Sequence, residues 1–207
     1  MNPLRTGARP LLLASLLGLA LPGCISYGLD RLPPAGELPG PLDPPLRPSV
    51  SYSVSPSVGS DYQISGGGGG EWGLRDAADE LANALTISGQ FRSVEPAATG
   101  VKTDLTLDVA LVVDANDVIL AASAVTLFII PTWRTVTFDL VAEVRASDGR
   151  WMRYHLSDAA RDINWLPFIL GMSFAPWGGA YADVRDNLYA TLLQHLYEDG
   201  FLGPPPG

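Results

Sequence analysis

A chain of 207 residues with 13 basic and 22 acidic side chains carries a formal charge of −9. That balance argues against nucleic acid, or polybasic attraction to anionic lipid, as the basis of its action. A single cysteine excludes an internal disulfide, two histidines leave little for metal or acid–base work, and the length suits one domain with an appended segment.

The first elements are the basic residues Arg5 and Arg9 and an apolar run from Leu11 to Leu21. The run has the length of a signal-peptide core and is too short to cross a bilayer. It leads into Leu21-Pro22-Gly23-Cys24, with leucine at −3, a small residue at −1 and then cysteine. This order resembles the lipobox of bacterial lipoproteins, in which the thiol is diacylated and the chain is cut just before it. The resemblance implies a signal peptide over residues 1–23, lipidation of Cys24, and a mature chain of 184 of the 207 residues. Loss of Arg5 and Arg9, with no acid lost, takes the formal charge from −9 to −11. In such lipoproteins an Asp after the cysteine commonly retains the protein in the inner membrane. Ile25 stands there instead, so the resemblance implies a lipid anchor in the inner leaflet of the outer membrane and a domain in the periplasm.

Residues 24–48 are dense in proline, from Pro33 to Pro48, with Gly28, Gly36 and Gly40 among them. Such a run favours extended polyproline geometry at roughly 3 Å per residue, and it is expected to be a lipidated tether holding the domain some tens of ångströms from the anchor. Ser49 to Ser55 alternates small polar residues with Val50, Tyr52 and Val54, as a strand with one buried face does. The five glycines from Gly66 to Gly70 lack a following Gly-Lys-Ser/Thr and precede Glu71, so they read as a loop and not as a phosphate cradle. From Trp72 the spacing is helical, with Leu74, Ala77, Ala78, Leu81 and Leu85 on one face, and Gly89 ends the helix. Phe91 to Val94 is a short return segment, and Leu105 to Val113 is an alternating strand.

Val118 to Ile130 is almost wholly apolar and fits a short helix or a buried strand. Beyond Pro131 a strand with Val136, Phe138, Leu140, Ala142 and Val144 on one face turns at Ser147-Asp148-Gly149 into a second strand reaching about Ile163. A two-residue loop would put Arg153 and Ser157 on the core face. A three-residue loop with Gly149 left-handed instead sets Met152, Tyr154 and Leu156 against Val144, Ala142 and Leu140, and Glu143 against Arg153, and this register is the expected one.

The open end of that hairpin brings together the apolar segments 125–133 and 165–177, which hold three of the five tryptophans and are interrupted by prolines. Neither could span a bilayer. They read either as a cap on the core or as a surface for an apolar partner or a lipid interface. In the second case Trp133, Trp165, Leu166, Phe168 and Trp177 are the binding residues. The last element is a helix from Ala180 to about Glu198 with Tyr181, Val184, Leu188, Leu192 and Leu196 on one face. Gly200 stops it, Phe201 and Leu202 form a C-terminal clasp, and residues 203–207 are a flexible tail.

His155 can be drawn with Asp139 or Ser157 as an acid–base set, but strand alternation groups such residues on one face in most sheets. Ser-x-x-Lys, Gly-x-Ser-x-Gly and His-Glu-x-x-His are absent, and neither a cofactor nor a metal site is expected. The element order predicts an α+β domain over 49–202: a small, mostly antiparallel sheet of about four strands with two helices packed on one face. A helix, then Ser88-Gly89-Gln90-Phe91-Arg92-Ser93-Val94, then an acidic alternating strand resembles small envelope lipoproteins that serve as accessory subunits of transport or assembly machines. The resemblance implies a non-enzymatic adaptor with an envelope protein partner. A carrier of lipid or another apolar ligand is the alternative, and an envelope hydrolase using His155 is a second.

Overall fold

The computed structural model describes residues 24–38, 40–56, 74–97, 102–116, 132–164 and 179–203. Among the described residues there are six strands and two α-helices: β1 (Cys24–Gly28), β2 (Ser49–Pro56), α1 (Leu74–Ile87), β3 (Ser93–Pro96), β4 (Leu105–Asn116), β5 (Thr132–Ala146), β6 (Trp151–Asn164) and α2 (Gly179–Glu198). They form an α+β fold with one sheet of order β1-β6-β5-β4-β2-β3.

The long strands follow from their alternation. Leu107, Val109, Phe138, Leu140, Ala142 and Leu156 share one face and are at most 4% exposed. The helices contribute Ala77, Leu81 and Leu85 from α1 and Val184, Leu188, Leu192 and Leu196 from α2 to the same buried cluster, so both lie on this face. Arg185 of α2 binds Glu80 of α1 as a fork, with both N···O distances 2.8 Å, and its guanidinium lies 5.9 Å from the Phe138 ring centroid. An ion pair therefore ties the helices together above the aromatic centre of the sheet.

The hairpin has the three-residue loop and the expected register. Val144, Ala142 and Leu140 pair with Met152, Tyr154 and Leu156, and Glu143 pairs with Arg153. Gly149 sits at φ +91, a conformation L side chains rarely adopt, and Ala146 N–H donates to the Arg150 carbonyl at 2.9 Å. Met152 stays 41% exposed because the helix layer does not reach the hairpin tip. At the other end of the chain the clasp closes: Phe201 and Leu202 are buried, and both backbone N–H groups donate to the Leu196 carbonyl.

The sheet departs from about four mostly antiparallel strands in two ways. Ser93–Pro96 is a true strand parallel to β2, and β2 is also parallel to β4, so the sheet is mixed. A parallel neighbour needs a long crossover, and the chain containing α1 between β2 and β3 supplies one. The other addition is β1, antiparallel to β6 at the far edge, which lies within the stretch expected to be tether.

That stretch is not a free spacer. Leu29 N–H donates to the Ala159 carbonyl at 2.7 Å and Arg31 N–H to the buried Asp158 carboxylate at 3.1 Å. Ala35 and Gly36 N–H then donate to the side-chain oxygens of Asn187 and Gln194 on α2, each at 2.8 Å. Leu32, Leu38 and Leu42 pack against the core. Proline removes the N–H groups a sheet would need, but the donors left between the prolines find side-chain acceptors on a helix, and the leucines find apolar surface. The result is a strap crossing the helix layer from β1 to β2.

The strap enters β2 through Ser49, whose N–H and hydroxyl both donate to Asp104 Oδ2 at 2.7 Å, with Arg92 Nη2 at 3.2 Å from the same oxygen. The two Ser49 hydrogen bonds, and then Arg92, hold the Asp104 carboxyl below its ordinary value of 3.8. A depressed folded-state value means stability that is fully present above the unfolded value and lost as pH falls through the folded one. Asp104→Asn is therefore expected to lower the melting temperature at pH 7, with the gap from the parent closing as pH drops below about 3.8. Melting curves across that range check it, and a gap independent of pH contradicts it.

Candidate functional site

Strand alternation leaves the second sheet face to polar residues. Across it run Ser51 and Ser53 of β2, Thr106 and Asp108 of β4, Thr135, Thr137, Asp139, Val141 and Glu143 of β5, and Arg153, His155, Ser157 and Arg161 of β6. Both helices lie on the opposite face, so among the described residues no helix covers this one. The polar groups bind one another across strands: Ser53 donates to Asp108 at 2.5 Å and Arg161 Nε to the Thr135 hydroxyl at 3.2 Å. Glu143 lies 3.2 Å from Arg145 and 3.9 Å from Arg153.

The acid–base set drawn from the sequence falls on this face. Asp139 is directly opposite Ser157, and His155 Nε2 lies 3.8 Å from Asp139 Oδ1, beyond hydrogen-bond length. The His155 side chain is 67% exposed. A base on an open sheet face has water on it rather than a held substrate, and low-dielectric stabilisation of a transition state needs water excluded. The arrangement gathers these residue types on one face, and among the described residues no helix encloses them. Among the described residues no group of three or more His, Cys, Asp or Glu could hold a metal ion.

The sheet has two unlike ends. At the hairpin tip, an open concavity of about 530 Å³ is lined by Glu143, Arg145, Ala146, Gly149, Arg150 and Trp151, and Trp151 is 66% exposed. Asp148 caps the turn, accepting from Arg150 N–H at 2.9 Å and Arg150 Nε at 2.7 Å, and these bonds hold its carboxyl below the usual range.

At the opposite end Cys24 pairs with Asn164, which pairs with Thr132. The next row on the open face is Ile25, Ile163 and Trp133, and the one after it is Tyr27, Arg161 and Thr135. Trp133 is 48% and Tyr27 38% exposed, while Ile25 and Ile163 are half-buried. On the helix side of this end, Ser26 donates to Asp162 at 2.6 Å and the Tyr181 hydroxyl makes a short bond to the same carboxylate, tying β1 and α2 to β6.

Of the residues expected to bind an apolar partner, Trp133 is exposed on the open face. Trp165, Leu166, Phe168 and Trp177 lie outside the described residues. Ile25, Tyr27, Ile163 and Trp151 were not foreseen. The Ile-Ser-Tyr alternation at 25–27 carries a strand signal of three residues, masked by the proline run behind it. Trp151 follows from the register, since it lies one residue from Met152 and so on the other face.

The fold and these surfaces define an α+β protein with a six-stranded mixed sheet that, among the described residues, carries helices on one face only and is apolar at one end and charged at the other. No protein-family model matches the chain, and none of the curated proteins matches it. No helix among the described residues is long and apolar enough to cross a membrane.

Proposed function

We propose that the chain is a lipoprotein held through Cys24 in the inner leaflet of the outer membrane. Its periplasmic domain acts there as a non-enzymatic adaptor or accessory subunit of an envelope transport or assembly system. The segment from Arg5 to Cys24 supports the anchor. The observation that carries the adaptor reading is the one-sided sheet, whose second face is broad, polar and half-exposed and has no helix on it among the described residues. A flat surface of this kind suits a protein partner better than a small substrate, which needs concavity.

Two measurements test the two halves of the reading. Cys24→Ala is expected to abolish acylation and to leave the protein uncleaved or processed elsewhere, so it no longer fractionates with the outer membrane as the parent does. Retention at the parent's level overturns the anchor. A photo-crosslinking residue at Thr137 or Val141 on the open face is expected to capture one defined envelope protein in intact cells. The same probe at the exposed Asp79 of α1 is expected to capture none. Capture from Asp79 and not from 137 or 141 assigns the partner to the helix layer and overturns the open-face reading.

A further inference from the structure

We propose that the Cys24 end of the sheet is a membrane-contact surface, on which Ile25, Trp133, Ile163 and Tyr27 enter the headgroup region of a phospholipid bilayer. The inference rests on the lipoprotein reading and deepens it, because it replaces a domain on a stalk with a domain seated on the membrane.

No spacer separates Cys24 from the sheet. Cys24 is itself the first residue of β1, in register with Asn164. A diacylglyceryl group on its thiol must put its chains in the hydrocarbon layer. The bilayer surface then lies within the length of one cysteine side chain and one glyceryl group from the sheet. The stretch that could have served as spacer is held elsewhere, since residues 29–36 are bonded to β6, Asp158, Asn187 and Gln194. The domain cannot step back from the anchor without parting β1 from β6.

What lies beside the anchor then meets lipid. Ile25 is one residue away, and the row Ile25, Ile163, Trp133 crosses three strands, or about 10 Å at two strand spacings of about 4.8 Å. Tyr27 is two residues further along on the same face. Indole and phenol rings have an apolar body and a polar edge and are enriched where headgroups meet acyl chains. At 48% and 38% exposure Trp133 and Tyr27 have surface to give, whereas the core aromatic Phe138 has none. The force is apolar, because a mature charge of −11 opposes anionic lipid. The contact should therefore form without anionic lipid and survive high salt.

This seating orients the whole molecule. β6 runs 14 residues from Trp151 to Asn164, so the hairpin tip stands roughly 45 Å out from the bilayer at about 3.3 Å per residue. The open polar face then rises from the membrane, reachable by a partner alongside, and Trp151 points into the periplasm.

The test uses the full lipidated chain in vesicles of phosphatidylethanolamine and phosphatidylglycerol. Cys24 is the only cysteine and is consumed by the anchor, so an added cysteine takes an environment-sensitive fluorophore uniquely. Labels are placed in Trp133→Cys, in Tyr27→Cys as a second variant should the first not fold, and in Asp148→Cys at the tip. Protein that floats with the vesicles should show a blue-shifted label at 133 or 27. Lipids brominated high on the acyl chain should quench it several-fold more strongly than the label at 148, at low and at high salt alike. Floating protein whose labels at 133 and 27 are as water-exposed as that at 148 overturns the membrane contact and leaves the anchor intact. Protein that carries no diacylglyceryl by mass spectrometry and does not float overturns the lipoprotein reading, and the inference falls with it.

Discussion

Replacing Phe138 with alanine is expected to lower the free energy of unfolding by about 3–5 kcal/mol, which is a large share of the 5–15 kcal/mol that holds a domain of this size together. Phe138 is fully buried at the centre of β5, edge-on to Tyr181 at 6.2 Å between ring centroids and beneath the Arg185 guanidinium. Truncation loses the ring's transfer from water. It also leaves a cavity under an ion pair that spans both helices, and those helices cannot collapse into the space without parting Arg185 from Glu80. Thr137, one residue away, faces the open side of the sheet, and Thr137→Ala should cost less than about 0.5 kcal/mol. Urea unfolding with unchanged m compares them. Similar costs at both positions would contradict a one-sided core.

Asp158→Ala should release the strap. Asp158 is 2% exposed, and its Oδ1 accepts from Arg31 N–H at 3.1 Å and from Ala159 N–H at 2.7 Å. Its removal leaves two donors without their acceptor in or near the interior, a loss on the order of 1–3 kcal/mol for each donor that water cannot reach. The loss falls where the chain leaves β1 to cross the helices. Faster trypsin cleavage after Arg31 is the direct readout, since a protease needs the segment locally detached. Asp158→Asn keeps an acceptor and should retain much of the protection. An unchanged cleavage rate in Asp158→Ala would show that Asn187, Gln194 and the strap leucines hold the segment without it.

The elements that were legible in the sequence are those whose causes are local. Strands β4, β5 and β6 show their period in every second residue. The hairpin register follows from one turn, because Ser147-Asp148-Gly149 admits a left-handed glycine, and the other loop would bury Arg153. Both helices end at glycines with positive φ, Gly89 and Gly200. The clasp of Phe201 and Leu202 follows from apolar residues placed just after such a stop. Trp133 was legible only as part of an apolar segment that could be a core cap or a binding surface, and the fold decided that it is exposed.

The rest depends on partners distant in the chain. Ser93-Val94-Glu95-Pro96 has no period long enough to mark a strand, and it becomes one because α1 returns the chain beside β2. Cys24 to Gly28 is a strand because β6, more than 130 residues on, offers it an edge. The proline-rich segment was read from composition, which reports that it cannot form a ladder with itself. Composition cannot report that Asn187 and Gln194 stand one above the other on a helix with oxygens turned toward it. The same limit applies to the site. Residue types on β5 and β6 suggested an acid–base set, and the facing of the sheet decided that His155 and Asp139 lie in the open. The sequence by itself therefore determined which face of β4, β5 and β6 is apolar and where the hairpin between β5 and β6 turns, because period and turn chemistry act over a few residues. Tertiary structure alone decided that both described helices lie on one side of the sheet, that the tether is a strap, and that Cys24 stands in the same sheet end as Trp133, because each depends on contacts between segments that the chain keeps far apart.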